Sequence, residues 1–374
     1  MRWRGLTWKV TLGQTMFKRA ILHLCKWLGM FQLAFLITRG RLRILCYHGF
    51  AVDDEAGFRP RLFIRSETFQ RRMEYLAKRS FPVISLSKAL NCLAERNLPP
   101  GSIVLTIDDG WAGVHDRALP VLRQFHYPAT IYISSYYSLK GTPVFRLVLQ
   151  YLFWKTREQQ LSTSGLGVPL PPIVAIASEE DRERLICKLM EHGETRLDEA
   201  GRCELSCLLA ERLRVDHEKI VRTRILSLMN PAEIRAASEE GVDIQLHTHR
   251  HRLPMNRDLV KQEIADNRAV LEPLAGRELR HLCYPSGIWS KEQWPWLIEL
   301  GIESAATCAS GLNHSETPRL GLRRFLDGEN VSQIEFEAEI YGLAELLRVC
   351  RAALKRALQG RSVPMETTVE SLPS

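Results

Sequence analysis

From Arg43 onward the chain alternates short apolar runs with helix-like segments, and that rhythm leaves few architectures open to it. ILCYHGF reads as a short buried strand, and FQRRMEYLAKR has helical spacing behind a Ser66 cap and leads to a second apolar run, FPVISL. Pro99, Pro100 and Gly101 break the chain before SIVLTI, a strand that ends in Asp108-Asp109-Gly110, and the helix ALPVLRQF then leads to ATIYIS. After an interruption the pattern resumes. Asn230-Pro231 opens the helix PAEIRAASEEG, followed by strand VDIQLH, helix RDLVKQEIADNRAVLEPL, strand HLCYP, helix KEQWPWLIELG and strands near ESAATC and LRRFL. Strands joined through helices run parallel, and strands apolar throughout fit a sheet covered on both faces. Roughly seven such βα units in one stretch favour an α/β barrel over an open sheet.

The interruption, residues 145–228, is expected to be a helical insertion: it holds runs such as SEEDRERLICKLMEH behind Ser178 and no convincing strand. Residues 1–40 form a basic, amphipathic N-terminal segment in which Trp27 to Thr38 (WLGMFQLAFLIT) is apolar but too short to span a bilayer. Lys26 precedes that run, Arg39 and Arg41 follow it, and AFLITRGRLR offers no small-residue exit for cleavage. Such a segment either packs on the domain or lies on a membrane surface, held there electrostatically by Arg2, Arg4, Lys9 and Lys18. The main domain is then 41–343, and 344–374 is a C-terminal helix with a tail after Gly360 of disordered composition.

Nine cysteines, an odd number without a CxxC, argue against a disulfide framework and for reduced thiols, hence a cytoplasmic enzyme that can rest on the inner membrane surface. Cys203 and Cys207, four apart in CELSCLLAERL, have the spacing of buried thiols on a helix. The net charge is +8, and the basic residues are scattered rather than gathered into one long block, which argues against a nucleic-acid partner and suits an anionic membrane or a phosphate-bearing glycan carrier.

The residues able to carry chemistry gather at strand ends. Asp108 and Asp109 close one strand, and Gly110 lets the backbone turn so that both carboxylates enter one pocket. A helix N-cap would account for one aspartate and leave the second unexplained. HTHRH follows another strand, so His247 and His251, four apart, can share the face of a helical turn and grip one ion together with Asp109. If the strand ran on, His247, His249 and His251 would share a side instead, although Pro254 indicates that the chain is already turning. His48 closes the first strand at the same rim and has the pKa range for proton transfer. CYPSG, residues 283–287, ends a further strand with a turn whose amides can receive an oxyanion.

Taken in order, these segments resemble the polysaccharide deacetylases of the NodB-homology type, carbohydrate esterase family four, over about Arg43 to Leu343 apart from the insertion. TIDDG looks like that family's TFDDG, HTHRH like its HTxxH, and ILCYH like the opening strand of the exopolysaccharide-type members. CYPSG departs from the RPPYG of other branches by lacking the arginine, and Ile107 replaces a Phe. The resemblance implies a distorted (β/α)7 barrel, Asp108 as general base, and Asp109, His247 and His251 holding one divalent ion, zinc or similar. It implies His48 as general acid, with the oxyanion received near the Trp111 or Tyr284 amide beside Pro285. The implied activity is removal of N-acetyl groups from amino sugars of a polysaccharide or lipid-linked glycan. A glycan-binding barrel without turnover, an O-acetyl esterase and a phosphoesterase are the alternatives.

Overall fold

Two five-residue strands, β1 (Arg43–Tyr47) and β2 (Ile103–Ile107), lie side by side in parallel with Leu45 opposite Leu105 and Tyr47 opposite Ile107, and every residue of both is buried. The computed structural model describes residues 12–359. Five more strands complete the sheet: β3 (Ala129–Ile133), β4 (Asp243–Leu246), β5 (His281–Cys283), β6 (Ser304–Ala306) and β7 (Phe325–Leu326). Their spatial order is β6-β5-β4-β3-β2-β1-β7, and every pairing is parallel. Leu322 makes one parallel bridge to Ala306 of β6, three residues before Phe325 pairs with Leu45 of β1. The segment from Leu322 to Leu326 therefore spans the gap between the two edges, which is the distorted barrel that the βα rhythm and the resemblance led us to expect. Closure rests on one bridge because the last strands are only two and three residues long.

Parallel order puts every strand's C-terminal end on one rim, the place where barrels of this kind collect chemistry. Helical punctuation follows the sequence at two caps: Ser178 accepts from the Asp181 amide, and Asn230 forms a reciprocal capping box with Glu233. Ser66 starts its helix without capping it, since its hydroxyl donates to the Arg117 carbonyl at 3.3 Å. FPVISL contributes a single bridge, Val83 to Ile103, and is not a strand of the sheet. The insertion holds the helices Phe145–Lys155, Glu179–Arg196, Glu199–Arg212 and His217–Thr223, and also an antiparallel pair, Gln160–Ser162 with Ile173–Ala175. That hairpin was not expected from the sequence, because strands of three residues with exposed neighbours leave almost no periodicity.

Helices α1 (Leu12–Trp27) and α2 (Met30–Thr38) pack on the domain through their inner sides, against α3 (Gln333–Ile340) and the start of α4 (Leu343–Gln359). α2 sits under the N-terminal ends of β1 and β2: Phe35 packs edge-on against Phe81 and Tyr341, and the Arg39 carbonyl accepts from the Gly101 amide at 2.7 Å. Among the described residues no single helix is long and apolar enough to cross a membrane, and α1 and α2 are bent from one another by 79°. Arg2, Arg4, Lys9 and the tail after Gly360 lie outside the described residues. All nine cysteines are unpaired.

Candidate active site

At the end of β2 the chain reverses through two consecutive left-handed residues, Asp109 (φ 68°) and Gly110 (φ 81°). Glycine takes that conformation freely and aspartate is among the few other residues that tolerate it. A Cβ at position 110 would also lie 3.1 Å from the Ile133 side chain. The turn lets neighbouring carboxylates, which a strand would send to opposite faces, serve one pocket.

Asp109 is the meeting point of both histidines. Its Oδ1 lies 3.2 Å from His247 Nε2 and 3.3 Å from His251 Nε2, while its Oδ2 accepts from Trp111 Nε1 at 2.9 Å. His247 is buried, and its Nδ1–H donates to the Cys283 carbonyl at 2.8 Å, which fixes Nε2 as the nitrogen aimed at Asp109. Asn267, fully buried, accepts from the His247 amide and donates to Ile133 O and Ser135 Oγ, holding the strand end in place. Residues 247–251 are neither helix nor strand: Thr248 (φ 62°) and His251 (φ 52°) are left-handed, and these two kinks swing the second imidazole back to the first. The helical turn anticipated from the spacing is thus replaced by a kinked loop with the same outcome. His249 points elsewhere, its Nδ1 2.9 Å from Ser135 Oγ, so the three-histidine strand arrangement is not formed.

The three donor atoms lie within 4.8 Å of one another. A carboxylate and two imidazoles are a set that zinc accepts, and bonds of about 2.0–2.1 Å arranged tetrahedrally place ligand atoms about 3.3 Å apart. The separations from Asp109 to the two imidazoles fit such an ion. Electrostatics agree. Burial works to raise the Asp109 carboxyl, but hydrogen bonds from His247 and His251 hold it well below the usual range. Burial pushes His247 down, and its bond to Asp109 with the charges of Asp108 and Asp109 carries it above its ordinary value.

Asp108 is anchored separately. Arg324, just before β7, donates Nη1 to Oδ1 and Nη2 to Oδ2, both at 2.7 Å, and its own Nε–H goes to the Thr307 carbonyl at 2.9 Å. Despite burial, which raises a carboxyl, that guanidinium holds Asp108 far below the ordinary carboxylate range. His48 Nε2 stands 3.7 Å from Asp108 Oδ2, and burial pushes its imidazole below the usual value against the pull of Asp108 and Asp109. The thiols of Cys46 and Cys283 lie 3.5 and 3.2 Å from the same Oδ2.

Two anticipated oxyanion contacts need correcting. The Tyr284 amide donates to the Ala306 carbonyl at 3.1 Å within the β5–β6 pairing, and its hydroxyl is tied to the Leu320 carbonyl. Pro285 has no N–H, so neither residue brings a donor, and this strand end acts on the site through the Cys283 carbonyl instead. Trp111 is different: flanking bonds from Met229 to Gly110 and from Ala112 to Ser227 make it the non-bonded member of a bridge to Leu228. Its amide points away from that partner and has no backbone acceptor among the described residues. The last residues of the insertion thereby frame the DDG turn.

The family model for polysaccharide deacetylase matches residues 95–149 and 212–305, the two segments on either side of the insertion. Across those two segments the chain carries a polysaccharide deacetylase domain. This deacetylase shares its fold with the Streptococcus pyogenes deacetylase PplD, solved in complex with acetate, at a TM-score of 0.52 and 14% identity over 80% of this chain and 98% of that one. IcaB from Ammonifex degensii is similar at a TM-score of 0.50 and 17% identity, covering 80% and 97% of the two chains. No curated protein matches the sequence. Arg324 is the residue of the deacetylase site that the sequence did not reveal, although one of two adjacent arginines in a buried LRRFL strand has to face inward.

Proposed function

We propose that this deacetylase removes N-acetyl groups from amino sugars of a glycan with one divalent ion, zinc by its donor set, held by Asp109, His247 and His251. Support comes above all from one observation: Asp109 Oδ1 meets both imidazole Nε2 atoms while the neighbouring carboxylate, Asp108, faces His48. Bound there, the ion supplies a Lewis acid for the acetamide carbonyl and a water of lowered pKa.

The protein's own groups do the rest. Arg324 keeps Asp108 ionised and aimed, and whereas Oδ2 also takes the thiols of Cys46 and Cys283, Oδ1 accepts from Arg324 alone and keeps a lone pair for the attacking water's proton. His48 Nε2, 3.7 Å from Asp108, offers that proton a short path to the departing amine as the C–N bond breaks. The Trp111 amide is the backbone donor left to face a developing oxyanion. Trp111 Nε1 occupies the second oxygen of Asp109, so that carboxylate presents one oxygen to the two histidines.

Acetate release by the purified protein from N-acetylated and O-acetylated oligosaccharides, with and without chelator, tests this function. Acetate from the N-acetyl substrates that stops on chelation and returns with zinc is expected. Release from O-acetyl esters alone would assign an esterase, and no release from either by metal-loaded protein would assign a glycan-binding barrel.

A further inference from the structure

The cations of helix α1 lie on its domain-facing side, paired with acids of α3. Lys18 Nζ lies 2.7 Å and Arg19 Nε 3.4 Å from the Glu335 carboxylate, and Lys26 pairs with Glu337, both acids on α3. Leu22, on the same side, is buried with Phe31, Ala34, Ile334 and Ala338. The opposite side carries Phe17, Leu24 and Trp27, which are 69%, 53% and 81% exposed. α2 continues the arrangement: Phe31, Ala34 and Thr38 face the domain, while Leu33, Leu36 and Ile37 are 56–59% exposed and the helix has no charged residue. A helix that merely covers a soluble domain shows the reverse pattern, apolar side in and charges out. Contiguous exposed apolar surface of this kind marks a contact with something apolar.

Charge identifies the occupant. The first 52 residues contain nine Lys or Arg and no Asp or Glu, so this segment carries +9 in a chain whose total is +8. A second copy docked on the same face would bring two such segments together, and the acids nearest them, Glu335, Glu337 and Glu345, are already paired within the protein. An anionic lipid surface satisfies the apolar face together with other cations of the segment, Arg2, Arg4 and Lys9 ahead of α1 and Arg39 after α2. Neither helix spans alone: α1, sixteen residues long, and α2, nine, extend about 24 and 14 Å at 1.5 Å per residue against about 30 Å of hydrocarbon, and the two are bent from one another by 79°.

We propose that the outer face of α1 and α2 seats this enzyme in the interfacial layer of an anionic bilayer. The apolar side chains enter the headgroup boundary and the helices lie in its plane. α2 sits under the N-terminal ends of β1 and β2, whereas Asp108 and Asp109 follow the C-terminal end of β2, so seating leaves the catalytic rim open.

Flotation of the purified full chain with phosphatidylglycerol/phosphatidylethanolamine vesicles, phosphatidylcholine vesicles or none tests the proposal. The wild type is expected to float with the anionic vesicles, and Leu33→Glu/Leu36→Glu to lose at least tenfold in partition with an unchanged Tm, because both side chains are exposed. A wild type that stays at the bottom with every vesicle, or a double variant that floats like it, overturns the proposal. So does a dimer in sedimentation that the double variant dissociates while the wild type binds no lipid, since the face would then belong to a second copy.

Discussion

Arg324 and Asp108 meet fork to fork, both guanidinium nitrogens 2.7 Å from the two carboxylate oxygens, with side chains 0% and 2% exposed. A buried pair of this geometry tolerates no one-sided change. Arg324→Ala strands a buried carboxylate and is expected to cost about 3–5 kcal/mol, enough to lower Tm by many degrees. Arg324→Lys keeps a charge and loses the fork, so the protein should fold while kcat falls by about 10². Its weaker hold also lets the Asp108 pKa rise, moving the acid limb of kcat/KM to higher pH. Thermal melts and pH–rate profiles of the two variants check this, and a Lys variant with wild-type kcat would remove Arg324 from the mechanism.

How much of this was legible in the sequence depends on the range of the interaction. TIDDG and HTHRH are local, so the strand ends and the residues they deliver, Asp108, Asp109, His247 and His251, could be named from pattern alone. Arg324 could not be paired with Asp108, since 216 residues separate them and an arginine in a strand ordinarily signals exposure. The Tyr284 amide was misjudged for a related reason: a turn displays its amides in sequence, and only the register of Tyr284 against Ala306 shows one already taken. The kinks at Thr248 and His251 were hidden because β-branched threonine disfavours a positive φ and histidine, although enriched there, adopts one in only a small share of cases.

The three histidines of HTHRH should separate cleanly by metal content. His247→Ala and His251→Ala are expected to lose bound zinc along with activity, whereas His249→Ala should keep the metal, because His249 faces Ser135. Asn267→Ala, which leaves the His247 amide only its 3.3 Å bond to the Ile133 carbonyl and removes the donor to Ser135 Oγ, is expected to weaken zinc about 10–100-fold without touching a ligand. Elemental analysis after gel filtration and competition with a zinc chelator measure all four, and zinc retained by His247→Ala but lost by His249→Ala would invert the ligand assignment.

Zinc affinity should also climb with pH. His247 without metal sits above its ordinary value, so the proton that the ion must displace is held to higher pH than on an ordinary imidazole, while Asp109 is held well below the usual carboxylate range. Below the His247 pKa each pH unit is therefore expected to lower the apparent affinity about tenfold for that one proton. Chelator competition at pH 6, 7 and 8 gives the slope, and a flat dependence would show that His247 binds no proton in the metal-free protein.

The seating of α1 on α3 should fail in acid, with a direction fixed by Glu335. Burial works to raise its carboxyl, but the Lys18 hydrogen bond, those from Ser332 and the Lys18 charge bring it from 4.5 down to about 2. A folded-state pKa below the unfolded one means the contribution is complete above about 4.5 and disappears as pH falls toward 2. Glu335→Gln removes the charge yet leaves an oxygen to accept from the Ser332 amide, so the cap of α3 survives. Lys18 is 64% exposed, and an ion pair so open to solvent contributes no more than about 0.5–1 kcal/mol. The variant is therefore expected to be about that much less stable than the wild type at pH 7, with the gap closing below pH 4.5. Urea denaturation of both proteins at pH 7, 4 and 3 measures the gap. A difference that stays constant down to pH 3 would mean that Glu335 acts through its cap rather than through Lys18.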